Sequence, residues 1–152
     1  MTSQQIALVQ TSFLSVQPIL DTAAGLFYDR LFELDPTLRA LFRTPRDQQA
    51  RMLAQALTIV VKSLDRPDAI KPAVEALGRR HVGYGVRDEH YATVGAALLW
   101  TLQEGLGPAF TPAVRDAWSA AYGWIASTMQ QAAASSELSE TASAHAFAAA
   151  HA

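Results

Sequence analysis

Apolar residues recur at spacings of three and four along almost the whole chain, and no window alternates with the period of a half-buried strand. The first such stretch carries Ile6, Val9, Phe13 and Val16, with Ser3 placed to cap it. Pro18 interrupts it, and a second runs from about Asp21 to Leu34 with Ala24, Phe27, Tyr28 and Leu31 on one face. Asp35-Pro36 then restarts a short helical turn, since aspartate caps and proline tolerates the first helical position. Leu41-Phe42 leads into Arg43-Thr44-Pro45, and a helix over about Arg46 to Leu64 places Gln49, Leu53, Ala56, Leu57 and Val60 on one side. Asp65, Pro67 and Pro72 punctuate the next stretch, after which a helix ends near His81. Tyr91, Val94, Leu98 and Leu102 mark the next helix, which stops at Gly107-Pro108. Thr111-Pro112 opens the last long one, with Val114, Trp118, Tyr122, Ile125 and Met129 inside. The expected fold is all-α.

Length and charge narrow the function classes. At 152 residues the chain can bury a core as one domain. Its formal charge of −2 and lack of a basic stripe argue against nucleic acid and anionic membrane surfaces as partners. There is no cysteine, which removes disulfides, thiolate metal sites and cysteine nucleophiles. With no signal-peptide pattern and no apolar run of membrane-spanning length, a cytoplasmic location is the expectation. From about Ala132 the chain turns to alanine with Ser, Thr and Glu, and Leu138 and Phe147 are the only bulky apolar groups. Residues 1–133 are therefore read as one domain and 134–152 as a weakly ordered Ala/Ser-rich tail.

Chemistry concentrates in Leu77 to Tyr91, LGRRHVGYGVRDEHY. Val74, Leu77 and His81 share a helix face that is otherwise apolar. Gly83 and Gly85 follow, suited to a helix end, and Asp88 can cap the next helix. A lone histidine on an apolar face is by itself more often a hydrogen-bonded core residue than a ligand. His81 and His90 are nine apart across a helix break, and His145 and His151 have no partners at metal-ligand spacing. No phosphate loop or Ser-His-Asp arrangement is present at useful spacing. One protein ligand is too few for a bare zinc ion but suffices for haem, whose porphyrin already supplies four nitrogens.

At these residues the chain resembles bacterial single-domain globins, the globin domain of flavohaemoglobins and neuroglobin-like bacterial globins, over about Ser3 to Met129. LGRRHVGYGVRDEHYATVGAALLWTL is similar to the family's proximal helix and the one after it. FYDRLFELDPTLRALF is similar to its second and third helices, and AWSAAYGWIASTM to its last. The resemblance implies a globin fold of about seven to eight helices around a pocket for b-type haem. It implies His81 as the iron ligand, Leu77 as its apolar neighbour and Phe42 as a ring stacked on the macrocycle. Tyr28 and Gln49 fall at distal positions that hold bound O₂, with Leu53 one turn beyond Gln49. Val86, Tyr91, Val94 and Leu98 fall among the cofactor contacts. Tyr91 matches a tyrosine on the proximal side, but the glutamate that accompanies it in flavohaemoglobins would fall near Ala133. That departure argues against a peroxidase-like push from the histidine.

The implied function is reversible binding of O₂, and of CO and NO, at a five-coordinate or weakly six-coordinate haem iron, in oxygen binding or transport. The alternatives are nitric oxide dioxygenation, with electrons from a separate reductase, and haem-based gas sensing. Binding and dioxygenation would use the same residues. A monomer and a homodimer are equally compatible with the sequence.

Overall fold

Thr2, not Ser3, starts the first helix. The computed structural model describes residues 1–150, and side chains for residues 1–135. In it the Thr2 hydroxyl accepts the Gln5 N–H at 3.1 Å while the Gln5 side chain accepts the Thr2 N–H at 2.9 Å. That reciprocal pair satisfies two free backbone donors at once, which Ser3 could not do without a partner three residues on.

Six α-helices follow in order among the described residues: α1 (Ser3–Val16), α2 (Leu20–Leu34), α3 (Arg46–Lys62), α4 (Pro67–Gly83), α5 (Asp88–Leu106) and α6 (Pro112–Ala150). Three short 3₁₀ turns join them, at Gln17–Ile19, Pro36–Leu41 and Gly107–Ala109. The architecture is all-α, with six helices rather than seven or eight, because Phe42 to Pro45 is too short to add one. The expected looseness of residues 134–152 concerns side chains that lie mostly outside the described residues; the backbone of α6 is helical to Ala150.

Two other helix starts differ from the sequence reading. Pro67 and Pro72 lie within α4: Pro67 occupies the first turn, where its missing N–H costs nothing, and Pro72 removes one bond from the second. Asp88 does not cap α5. The His90 ring does, its Nδ1 accepting the Arg87 N–H at 3.0 Å, and the residue is buried. Asp35 and Thr111 do act as expected, accepting the N–H groups of Thr37 at 3.1 Å and Val114 at 3.3 Å.

α4 and α1 both pack along α6, while α2 packs on α5 and α3. Trp118 fastens α6 to α1 through its indole N–H, which donates to the Ser12 hydroxyl at 2.9 Å. At Gly78 the α4 backbone runs against α6 so closely that a Cβ would stand 2.6 Å from the Cα of Met129. The buried residues form two clusters. One gathers Val9, Phe13, Val61, Leu64, Val74 and Trp118, and the other gathers Phe27, Tyr28, Leu31, Leu38, Ala50 and Ala97.

Candidate functional site

The residues singled out on α3, α4 and α5 share one property: Gln49, Leu53, Leu77, His81, Tyr91, Val94 and Leu98 are all half-buried. So are Phe42 and Val86 in the connecting segments. On α3 the fully buried positions are Ala50, Ala54, Val60 and Val61, so the helix is turned from the inner row read in the sequence. Its small alanines Ala50 and Ala54 face the body, and Gln49 and Leu53 are half-buried. α3 and α4, although consecutive, pack on different neighbours and barely touch each other. Phe42, Leu53 and Val94 flank the smaller cluster, Leu77 and Tyr91 flank the larger, and Leu98, alone among the described residues, flanks both. These half-buried side chains lie along the margins of the two cores.

His81 stands in the last turn of α4. Its Nδ1 lies 2.6 Å from the Leu77 carbonyl oxygen, one turn back. A carbonyl only accepts, so Nδ1 carries the proton and Nε2 keeps its lone pair. Nε2 makes no hydrogen bond among the described residues. Desolvation by burial pushes the imidazole pKa below its ordinary value; the Leu77 hydrogen bond opposes this and the nearby Arg80 charge adds to it. The ring is thus held neutral with one nitrogen available to a metal. Beyond it, the Val86 N–H donates to the His81 carbonyl at 3.0 Å and Gly85 takes a positive φ of 88°, which turns the chain towards α5. Tyr84 is exposed, with its ring 5.7 Å from that of His81.

On the other side, Tyr28, Phe42 and Gln49 line one cavity of about 110 Å³, together with Phe32, Arg39, Thr44 and Arg46. The Tyr28 ring is only 5% exposed and meets Phe27 at 5.1 Å and Phe42 at 5.3 Å, edge to face in both cases. Three aromatic neighbours, Phe32 included, fix its rotamer and so aim its hydroxyl. Burial raises the Tyr28 pKa, an effect the Gln49 side chain partly offsets, so the group remains an O–H donor. His81 is not among the residues lining this cavity.

With this geometry in view, comparison with known proteins is decisive. The globin family profile matches residues 25–129. The chain is a globin. A flavohemoprotein of Bordetella parapertussis is 43% identical over 103 residues, covering 66% of this chain and 26% of that protein. The present globin thus spans about a quarter of that relative's length. Among solved structures, an engineered carbene transferase of Rhodothermus marinus, a candidate nitric oxide dioxygenase, superposes with a TM-score of 0.84 at 28% identity. That match covers 93% of this chain and 99% of the other. A bacterial globin from Campylobacter jejuni gives 0.78 at 27% identity, over 88% and 97% of the two chains. Membership implies haem binding, and His81, tied through Nδ1 alone with half-buried apolar neighbours, is chemically suited to it.

Several residues at the site carried no signal in the sequence. Arg46 and Asp29 are 17 positions apart, yet Nε and one terminal nitrogen of the guanidinium each meet a carboxylate oxygen at 2.8 Å. Arg39 lies over the Phe32 ring, 4.9 Å from its centre. Tyr122, read only as a core residue, donates its hydroxyl proton to the Tyr91 carbonyl, and Gly95 leaves room for its ring. The described residues contain no group of three potential metal ligands.

Proposed function

We propose that this globin holds b-type haem in the cleft between α3 and α4, with His81 as the protein-supplied iron ligand, and binds O₂ reversibly. The observation that carries this reading is the Nδ1 contact with the Leu77 carbonyl, which leaves the Nε2 lone pair free. Bound there, haem would supply an iron position open to O₂, CO or NO. Leu53, Leu77, Val86, Tyr91, Val94 and Leu98 would cover the macrocycle, and the free face of Phe42 would stack on it. Tyr28 and Gln49 bring an O–H and an N–H to the distal side, where they favour a polar diatomic ligand over a less polar one. The acceptor of the His81 proton is a neutral carbonyl rather than a carboxylate, which limits how strongly the imidazole donates electrons.

His81→Ala tests the first step: haem content and the visible spectrum of the purified protein should be lost or grossly altered, and an unchanged spectrum refutes the ligand. Tyr28→Phe tests the second. Loss of one charge-assisted hydrogen bond, about 1.5–3 kcal/mol, should speed O₂ release roughly tenfold to a hundredfold and leave CO release much less affected. Equal shifts for both gases would mean steric access rather than hydrogen bonding. If the Gln49 amide competes for the iron, Gln49→Leu should speed the binding of both gases.

The likeness to flavohemoproteins supports a second reading, nitric oxide dioxygenation with electrons from a reductase. Catalytic NO consumption by the oxygenated protein with excess reductant, giving nitrate over many turnovers, would favour it. A single stoichiometric turnover would favour binding alone.

A further inference from the structure

A second cavity, of about 320 Å³, opens between α1 and the C-terminal end of α3, and it shares no lining residue with the cavity beside Tyr28. Its apolar lining is buried Phe13 and Val61 with Leu14, which is 63% exposed. Its polar lining includes half-buried Gln10 and exposed Lys62 and Asp65. The Gln10 side-chain amide donates to the Val61 carbonyl at 3.0 Å and to an Asp65 carboxylate oxygen at 3.3 Å. Both of its N–H groups are thereby used, which leaves Oε1 as its one uncommitted polar atom among the described residues. Lys62 and Asp65 carry opposite charges three positions apart, yet neither forms an ion pair with the other or with any other described side chain. The carbonyl end of α3 reaches the same place and adds negative potential beside Asp65.

We propose that this cavity binds the zwitterion of a small α-amino acid with an aliphatic side chain. An ammonium group needs acceptors, and Gln10 Oε1, the second Asp65 oxygen and the carbonyl end of α3 supply them. The carboxylate, one carbon away, needs a cation, and the flexible stem of Lys62 can bring one to it. Phe13, Val61 and Leu14 offer the aliphatic side chain an apolar wall, and the guest in turn covers Leu14. The volume lies at the lower end of the roughly 300–1,000 Å³ of small-molecule sites, so a guest the size of leucine fits it. A simple amine or a simple acid would satisfy only one of the two charges. No residue proposed to hold haem lines this cavity, so the site stands or falls apart from that reading.

The test is titration of the full chain, as purified, with L-leucine. Binding is read by calorimetry and by the side-chain amide resonance of Gln10. Saturable binding with a shifted Gln10 signal is expected. Lys62→Gln and Asp65→Asn should each weaken it roughly tenfold or more, with helical circular dichroism unchanged. Isoamylamine lacks the carboxylate and isocaproate lacks the ammonium, and each should bind roughly tenfold more weakly than leucine or worse. Lys71→Gln, an exposed α4 position outside the cavity, should leave affinity unchanged. Absence of saturable binding overturns the site, as does binding that survives both substitutions. Equal affinity for isoamylamine, or for N-acetyl-leucinamide with neither charge, overturns it as well.

Discussion

Gly78→Ala should weaken this globin, although the same change in an ordinary helix would strengthen it. Alanine is favoured over glycine in a helix interior by about 1 kcal/mol. At position 78 the new methyl would stand 2.6 Å from the Met129 Cα and 2.8 Å from its carbonyl carbon, and would overlap the carbonyl oxygen. Ordinary contact begins at 3.4 Å, so the shortfall is roughly 0.8 Å, and the obstructing atoms are backbone. No rotamer relieves it; α4 must part from α6, its most extensive packing partner. Overpacking typically costs 1–3 kcal/mol, and a backbone obstacle lies at the upper end, which outweighs the propensity gain. The net loss should be about 1–2 kcal/mol, or roughly 2–8 °C in Tm for a chain of this size. Because Gly78 lies one turn before His81, haem retention should fall as well. Gly123→Ala is the control: nothing lies within 4 Å of its Cβ position, so it should gain about 0.5–1 kcal/mol. Urea unfolding of the two variants beside the parent decides the matter. A Gly78→Ala protein as stable as the parent would refute the close approach of α4 to α6.

Tyr122→Phe removes the hydrogen bond to the Tyr91 carbonyl and should cost about 1–2 kcal/mol, seen in the same unfolding curves. Burial raises the pKa of Tyr28, Tyr91 and Tyr122 above the ordinary 10.0. Above that pH the unfolded chain therefore gives up these protons first, and the stability present below pH 10 should be lost as pH climbs towards the folded values. Tyrosinate absorbance should accordingly rise together with loss of helical circular dichroism; early ionisation of all four tyrosines in the folded protein would contradict it. Removing residues from Ser135 onwards should leave cooperative unfolding and haem content intact, whereas loss of either would mean that this segment packs on the body.

The helices were legible because three- and four-residue spacing of apolar groups has no other cause at this length. His81 was legible because a single polar ring interrupts such a face. Periodicity could not separate the core from the cleft. Leu53 and Val60 are seven apart on one face of α3, yet Val60 is buried in the larger core and Leu53 is a half-buried neighbour of the smaller. Both obey the same spacing rule, and helix rotation moves them together; what separates them is position along the helix, two turns apart, which periodicity does not read. The cap at Thr2 was missed because two adjacent hydroxyls compete and Gln5 decides between them. The cap by His90 was missed because histidine is not among the usual capping residues. The Arg46–Asp29 pair was illegible in principle, since nothing local links residues 17 apart on two different helices.

Half-burial of the cleft residues has an energetic meaning. Full burial of a large apolar side chain contributes about 1.5–3 kcal/mol, so the half-buried Phe42, Leu53, Leu77, Val94 and Leu98 would each gain on the order of 1 kcal/mol from a group that covers them. Among the described residues Leu98 is the one flanking contact that the two cores share, while α3 is held by α2 and α4 by α6. A flat apolar ligand in the cleft would cover these side chains from both directions and join the cores. Its binding free energy then becomes folding free energy, since the unfolded chain offers no such surface. If His81 holds the iron as proposed, the α4–α6 contact at Gly78 and the ligand position are energetically linked: whatever loosens one helix on the other also lowers affinity for haem.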